Sequence, residues 1–239
     1  VAKAIEGRGL RVSVAEVPIP VAFGPAFEGE RVRKEEFYLE CGTGKPPTPM
    51  LEWCTTKRMD EVEDGKIEVI GPEITDVPEG SHLPLAIVVE VAGREMEEDY
   101  EPILERQIHH QINYAQGVWH QGQRDIPWLR VSKIAKEKGF KLYHIGALLH
   151  AKLHQDFGRI FDKLQVKLYT EEDEVKEIID KAKAVYGTRD ARIEGMTDET
   201  TDTYYSCTLC QSFAPNHVCV VTPEKTGLCG SYNWMDCKA

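Results

Sequence analysis

The spacing of apolar positions changes several times along the chain, and each change predicts an element. Residues 1–25 set Pro18, Pro20 and Pro25 among short apolar pairs, which predicts an extended lead-in or linker. Phe37, Leu39 and Cys41 then alternate with polar neighbours as in a strand, until the run breaks at Gly42-Thr-Gly-Lys-Pro-Pro47. Lys66 to Ile70 alternates in the same way, and Leu85 to Val91 is a β-branched run; both read as strands, with turns at Gly71-Pro72 and Pro78-Glu-Gly80.

From Asp99 to His120 the period becomes helical, with Leu104, Ile108, Ile112 and Ala115 on one stripe. Pro127 is placed to open a further helix and Gly139 to close it. Ile145 to Phe157 predicts another helix, and Lys163 to Tyr169 alternates as a strand. Thr170 is positioned to cap a following helix whose first turn, Glu171-Glu-Asp173, suits the positive end of the helix dipole. Val175, Ile178, Ile179, Ala182 and Val185 would form its buried face, and Gly187 would end it. Strands interleaved with helices predict a mixed-sheet α/β domain over residues 26–186. Residues 171–202 hold 11 acids and 5 bases, a net of −6, and the apolar-poor part from 187 to 202 reads as an acidic connection. Residues 203–239 have too little apolar content to fold without a metal.

Composition narrows the function. The 239 residues carry 29 basic and 40 acidic groups, a formal charge of −11, which excludes the basic footprint of a nucleic-acid-binding surface. The longest apolar run, Leu85 to Val89, is far short of the ~18–20 residues that span a bilayer, so no membrane role is expected. With no secretory signal at Val1, a cytoplasmic location is expected. Seven cysteines are too few for a disulfide scaffold, yet five of them fall between Cys207 and Cys237. Cys41 and Cys54 stand apart and read as packing residues, and Cys237 is given no ligand role.

Cys207, Cys210, Cys219 and Cys229 have the spacing C-x2-C-x8-C-x9-C. The close pair turns two thiolates onto one centre, and the later two can return from separate loops, helped by Pro215, Gly227 and Gly230. Four thiolates suit tetrahedral zinc or an iron–sulfur cluster, and spacing alone leaves both open. His217 lies within this segment as a possible hydrogen-bonding neighbour of a cluster sulfur. His150 and His154 lie four apart on the predicted helix, a metal-clip spacing, but Lys152 and Gln155 suggest a solvated face. His109 and His110 are adjacent, so joint ligation from a helix is not expected.

The segment from Cys207 through Cys229, continuing Gly-Ser-Tyr-Asn-Trp-Met-Asp-Cys-Lys-Ala239, resembles the metal-cluster segment of CO-methylating acetyl-CoA synthases, which work within carbon monoxide dehydrogenase/acetyl-CoA synthase complexes. Phe27 to Glu35, Met59 to Gly65 and Arg124 to Lys133 carry the resemblance upstream. It moves the balance from zinc to iron–sulfur. It implies an α/β to α+β chain: the mixed-sheet middle domain followed by the first part of a small α+β cluster domain. It also implies that Cys207, Cys210, Cys219 and Cys229 hold a [4Fe–4S] cluster, with Cys210 bridging to a proximal nickel and Phe213 shielding that nickel. Trp119 matches a tryptophan associated with coenzyme A. Arg31, Arg33, Lys34, Arg124 and Arg130 are the residues to test against its phosphates, since guanidinium forks fit phosphate oxygens. The chain has no C-x-C motif, so the distal-nickel ligands of the family are not expected within it. The implied activity makes acetyl-CoA from CO, coenzyme A and a methyl group carried by a corrinoid iron–sulfur protein, with a carbon monoxide dehydrogenase subunit as partner. The rival expectation is a non-enzymatic iron–sulfur or zinc module for electron transfer or structure.

Overall fold

A computed structural model describes residues 15–24, 37–210 and 215–239. The described residues form ten strands and five α-helices. Two four-stranded sheets organise residues 37–194. In the first, β2 (Met50–Thr56), β5 (Leu85–Ala92), β8 (Lys163–Tyr169) and β3 (Ile67–Ile70) lie side by side in that order. The sheet is mixed: β2 runs parallel to β5 and β3 parallel to β8, whereas β5 and β8 are antiparallel. In the second, β4 (Ser81–Leu83), β1 (Phe37–Gly42), β7 (Trp128–Ser132) and β6 (Val118–Gln121) are neighbours.

β5 is buried along all eight residues, because helices cover both faces of its sheet. Leu85, Ile87, Val89 and Val91 point to one side, where they share a core with Leu104, Ile108 and Ile112 of α1 (Glu101–Ile112) and with Ile145, Leu149 and Leu153 of α3 (Leu142–Phe157). Ala86 and Val88 point to the other side, with Leu51, and meet Val175, Ala182 and Tyr186 of α4 (Glu172–Glu194). The two-residue period of the strand thus divides one apolar run between two helical layers. Each fully buried Val, Leu or Ile in these layers contributes about 1.5–3 kcal/mol of burial free energy. Cys41 and Cys54 are fully buried in the same core, the packing role their isolation predicted.

Several local expectations change. The helix expected from Asp99 to His120 is α1 alone; after Ile112 the chain turns and returns as strand β6, so Trp119 lies on a strand. Pro127 opens no helix. It precedes β7, whose pairing to both β1 and β6 fixes Trp128–Ser132 as extended, and only the short α2 (Lys133–Glu137) follows before Gly139. Thr170 does not cap α4. Its hydroxyl donates to the carbonyls of Ile70 and Pro72, and Glu171 takes the N-cap position.

Gly187 does not end α4 either; the helix runs on to Glu194. Residues 187–194, expected as connection, are held helical by Arg189, which donates to Glu105 Oε2 at 3.1 Å, to the Cys54 carbonyl at 2.7 Å and to Glu101. Residues 15–24, expected as a lead-in, dock on the end of α1: Gln116 N–H donates to the Ala22 carbonyl and Val21 is buried.

Candidate functional site

The cysteine segment is built on a small antiparallel ribbon. β9 (Tyr205–Cys207) pairs with β10 (Cys219–Val221) in a register that sets Cys207 directly opposite Cys219. Cross-strand neighbours of this kind have Cβ atoms ~5 Å apart. Cys210 follows three residues after β9. The turn after β10 closes through Gly227 N–H donating to the Tyr232 carbonyl, and so brings Cys229 back toward the ribbon. The Leu228 N–H donates to Cys219 Sγ at 3.3 Å and the Ser231 N–H to Cys229 Sγ at 3.4 Å.

The ionisation of the thiols reports their proximity. Partial desolvation, and then repulsion from the Cys229, Cys219 and Cys207 thiolates, pushes the Cys210 thiol above its ordinary range. Cys229 is lowered by the Ser231 amide. The four predicted ligands thus lie within electrostatic reach of one another, with Cys219 buried and Cys229 exposed. Cys237 lies near them as well: desolvation and the Cys207 thiolate raise it. His217 is half-buried two residues before Cys219. Phe213, Arg31, Arg33 and Lys34 lie outside the described residues.

The segment is fastened to the α/β body by α5 (Trp234–Lys238). Asn233 caps this helix, Arg106 of α1 pairs with Asp236, and Lys238 Nζ lies 2.6 Å from Glu97. Trp234 Nε1 donates to the Thr203 carbonyl at 2.7 Å, joining α5 to the approach to β9. Between the segment and α1 lies a cleft of about 620 Å³, with Arg106, His109 and His110 on one side and Gly230, Ser231 and Tyr232 on the other. That volume is in the range of small-molecule sites. Burial, then the neighbouring His110 and His120, lowers His109 to a pKa of about 4, so its imidazole is neutral at pH 7. The His109 and His110 rings nonetheless pack with centroids 4.0 Å apart.

Trp119 and Arg130 are cross-strand partners in the β6–β7 pair. The Arg130 guanidinium lies 4.2 Å from the Trp128 ring centroid and 5.6 Å from that of Trp119, and the two indoles meet edge-on at 4.6 Å. Arg130 is buried and paired with Glu40, which also accepts from the Lys45 N–H at 3.2 Å. Arg124 sits elsewhere, at a positive φ of 59°, over the Tyr186 ring and with both Asp190 oxygens at 3.0 Å. The two arginines are thus not brought together, and each already has an acidic partner.

Sequence reasoning missed Arg106 and Asp236, which place the cysteine segment, and the buried pair His120–Glu52, in which Nε2 and Oε1 lie 2.5 Å apart between the two sheets. No local spacing marks such pairs, because their partners come from distant elements.

Residues 19–175 match the family model described as CO dehydrogenase/acetyl-CoA synthase complex beta subunit, and residues 186–239 match the model for the C-terminal part of the ACS/CODH beta subunit. The chain belongs to this beta-subunit family. It is 52% identical over 236 residues to carbon monoxide dehydrogenase/acetyl-CoA synthase subunit alpha of Moorella thermoacetica, covering 99% of this chain and 32% of that protein. It is 44% identical over 227 residues to acetyl-CoA decarbonylase/synthase complex subunit beta of Methanopyrus kandleri, covering 95% and 48%. The beta subunit of the same kind of complex from Methanothermobacter thermautotrophicus is 46% identical over 221 residues, covering 92% and 47%. The chain thus spans from about a third to about a half of the length of these curated relatives. Among the described residues, no helix is long and apolar enough to cross a membrane.

Proposed function

We propose that this chain is the cluster-ligating part of an acetyl-CoA synthase, an acyltransferase that makes acetyl-CoA from CO, coenzyme A and a corrinoid-bound methyl group. The observation that carries the proposal is the gathering of Cys207, Cys210, Cys219 and Cys229 around one ribbon, next to a cleft. The donor set fits a [4Fe–4S] cluster: two thiols facing each other across a strand pair and two from the segments that follow those strands, with the Cys219 and Cys229 sulfurs already accepting backbone N–H groups. Such hydrogen bonds stabilise sulfur carrying negative charge. When bound, the cluster together with nickel attached through Cys210 would supply the metal chemistry that joins methyl and carbonyl groups.

The chain's own residues bind, orient and enclose. Arg106 and Asp236 hold the cysteine loops against α1, so the cleft forms between a rigid helix and the ligand turn. Neutral His109 lets that wall approach a charged cluster without adding a cation. Phe213 is assigned to shield the nickel side. Trp119 is assigned to coenzyme A; Arg130, paired with Glu40, fixes the indole pair, while Arg124 is the more accessible candidate for a phosphate. A corrinoid iron–sulfur protein and the carbon monoxide dehydrogenase component of the complex are the partners this reading requires, in the cytoplasm.

Anaerobic reconstitution of the chain with iron, sulfide and nickel tests the reading. About four irons per chain, with broad visible absorption that is lost in Cys207→Ser, is the expected result. Cys210→Ser should in addition abolish any nickel retained. A single colourless zinc and no iron would reassign the segment to a structural metal module and end the enzymatic reading.

A further inference from the structure

His150 and His154 are separated by one helical turn, and α3 presents both on one side. The structure adds a third ligand that their spacing could not reveal. Asp64, in the turn before β3, places Oδ1 3.0 Å from His150 Nε2 and 2.8 Å from His154 Nε2, and the three potential ligand atoms all lie within 4.8 Å of one another. Asp64 and His154 are also held by neighbours outside the trio. Leu164 N–H donates to Asp64 Oδ1 at 3.0 Å, and Gly65 N–H donates to the Leu164 carbonyl at 2.9 Å, so the turn is pinned to the start of β8. The His154 ring packs edge-on against Phe161 with centroids 4.8 Å apart, and α3 is anchored in the core by Leu149 and Leu153.

We propose that Asp64, His150 and His154 form a second metal site, separate from the cysteine segment, for a divalent first-row transition ion of the zinc class. Ligand atoms bound at ~2.1 Å in tetrahedral or octahedral geometry lie about 2.9–3.4 Å apart, and the two Asp–His separations of 3.0 and 2.8 Å sit at the lower end of that range. Two imidazoles with one carboxylate favour zinc, cobalt or nickel over calcium or magnesium, which prefer all-oxygen sets. The side chains are 45%, 28% and 27% exposed for Asp64, His150 and His154, which leaves room for the ion to enter and for water to complete its coordination. Such an ion would clip α3 to the turn before β3, joining a helix to the edge of the first sheet.

The site shares no residue with the cysteine segment, so it stands or falls independently of the proposed function. The test is equilibrium dialysis of the full chain against zinc with elemental analysis, comparing wild type with His154→Gln and Asp64→Asn. The same two comparisons are repeated in a Cys207→Ser/Cys210→Ser background, so that thiol-bound zinc is counted separately. Asp64→Asn keeps an acceptor for the Leu164 N–H, and far-ultraviolet circular dichroism confirms that each variant is folded. Each variant should lose one zinc per chain in both backgrounds, and His144→Gln should lose none. Cobalt added to the double-cysteine background should give weak visible bands without thiolate charge-transfer absorption. Equal zinc in wild type and the Asp64 and His154 variants, or a cobalt signal that disappears with the cysteines, would overturn the proposal.

Discussion

At the scale of single residues, burial decides which chemistry is accessible. His109 is half-buried on α1 among His110, His120 and Arg106, and the cost of desolvating its charged form brings its pKa from 6.5 to about 4. Between those values the unfolded chain binds a proton that the folded chain refuses. The contribution of this histidine to stability is therefore present above about pH 6.5 and is lost as pH falls toward 4. Glu105, raised to about 7 by burial, acts in the opposite sense over part of that window. The difference between wild type and His109→Gln isolates the histidine. Denaturant unfolding across the range should show a smaller loss of stability on acidification in the variant; parallel curves would refute the assignment. Cys41 and Cys54 show how much of this scale is legible in sequence: standing apart from the cysteine cluster, they are expected to pack, and both are fully buried. Of the two residues that suggested a solvated face, Gln155 is exposed but Lys152 is not. Lys152 is 8% exposed, with its ammonium 3.0 Å from Gln155 of the same helix and 5.2 Å from the ring centroid of Tyr114, in the turn that follows α1.

At the scale of elements, α4 carries the clearest lesson. Glycine at 187 reads as a stop because its backbone entropy disfavours helix by ~1 kcal/mol relative to alanine. Tertiary contacts outweigh that preference, since Arg189, two residues on, answers two nearly buried carboxylates, Glu101 and Glu105. A Cβ at 187 would meet nothing within 4 Å. Gly187→Ala should therefore stabilise the chain by about 0.5–1 kcal/mol in denaturant unfolding. Destabilisation would mean that residue 187 is not helical. The strands β5 and β8 were readable because burial on both faces, or on one, writes itself directly into a run or an alternation. β6 and β7 were not readable. Trp119, His120, Leu129 and Arg130 become a hairpin only because β1 supplies the neighbour that pairs with β7.

At the scale of the whole molecule, the ribbon of β9 and β10 has little core of its own, and its position depends on α5. Asp236 is 6% exposed and paired with Arg106. Arg106→Met should leave that carboxylate unpaired at a cost of about 1–3 kcal/mol. Amide exchange should quicken through Trp234–Lys238 and the Cys219–Val221 strand, by roughly tenfold or more, while α3 is unchanged. Uniform exchange changes in both regions would show that the pair does not act as a local tether.

The sequence by itself determined the family, through its resemblance over nearly the whole chain, and the α/β character, through periods of two and of three to four; its C-x2-C spacing marked four cysteines as candidate ligands. The tertiary structure alone decided the cleft between α1 and the cysteine turn, the pairing of Arg130 with Glu40, and the meeting of Asp64 with His150 and His154. Those partners lie 86 or more residues apart. At such separations no residue spacing carries a signal, and only the packing of sheets and helices brings the groups within bonding distance.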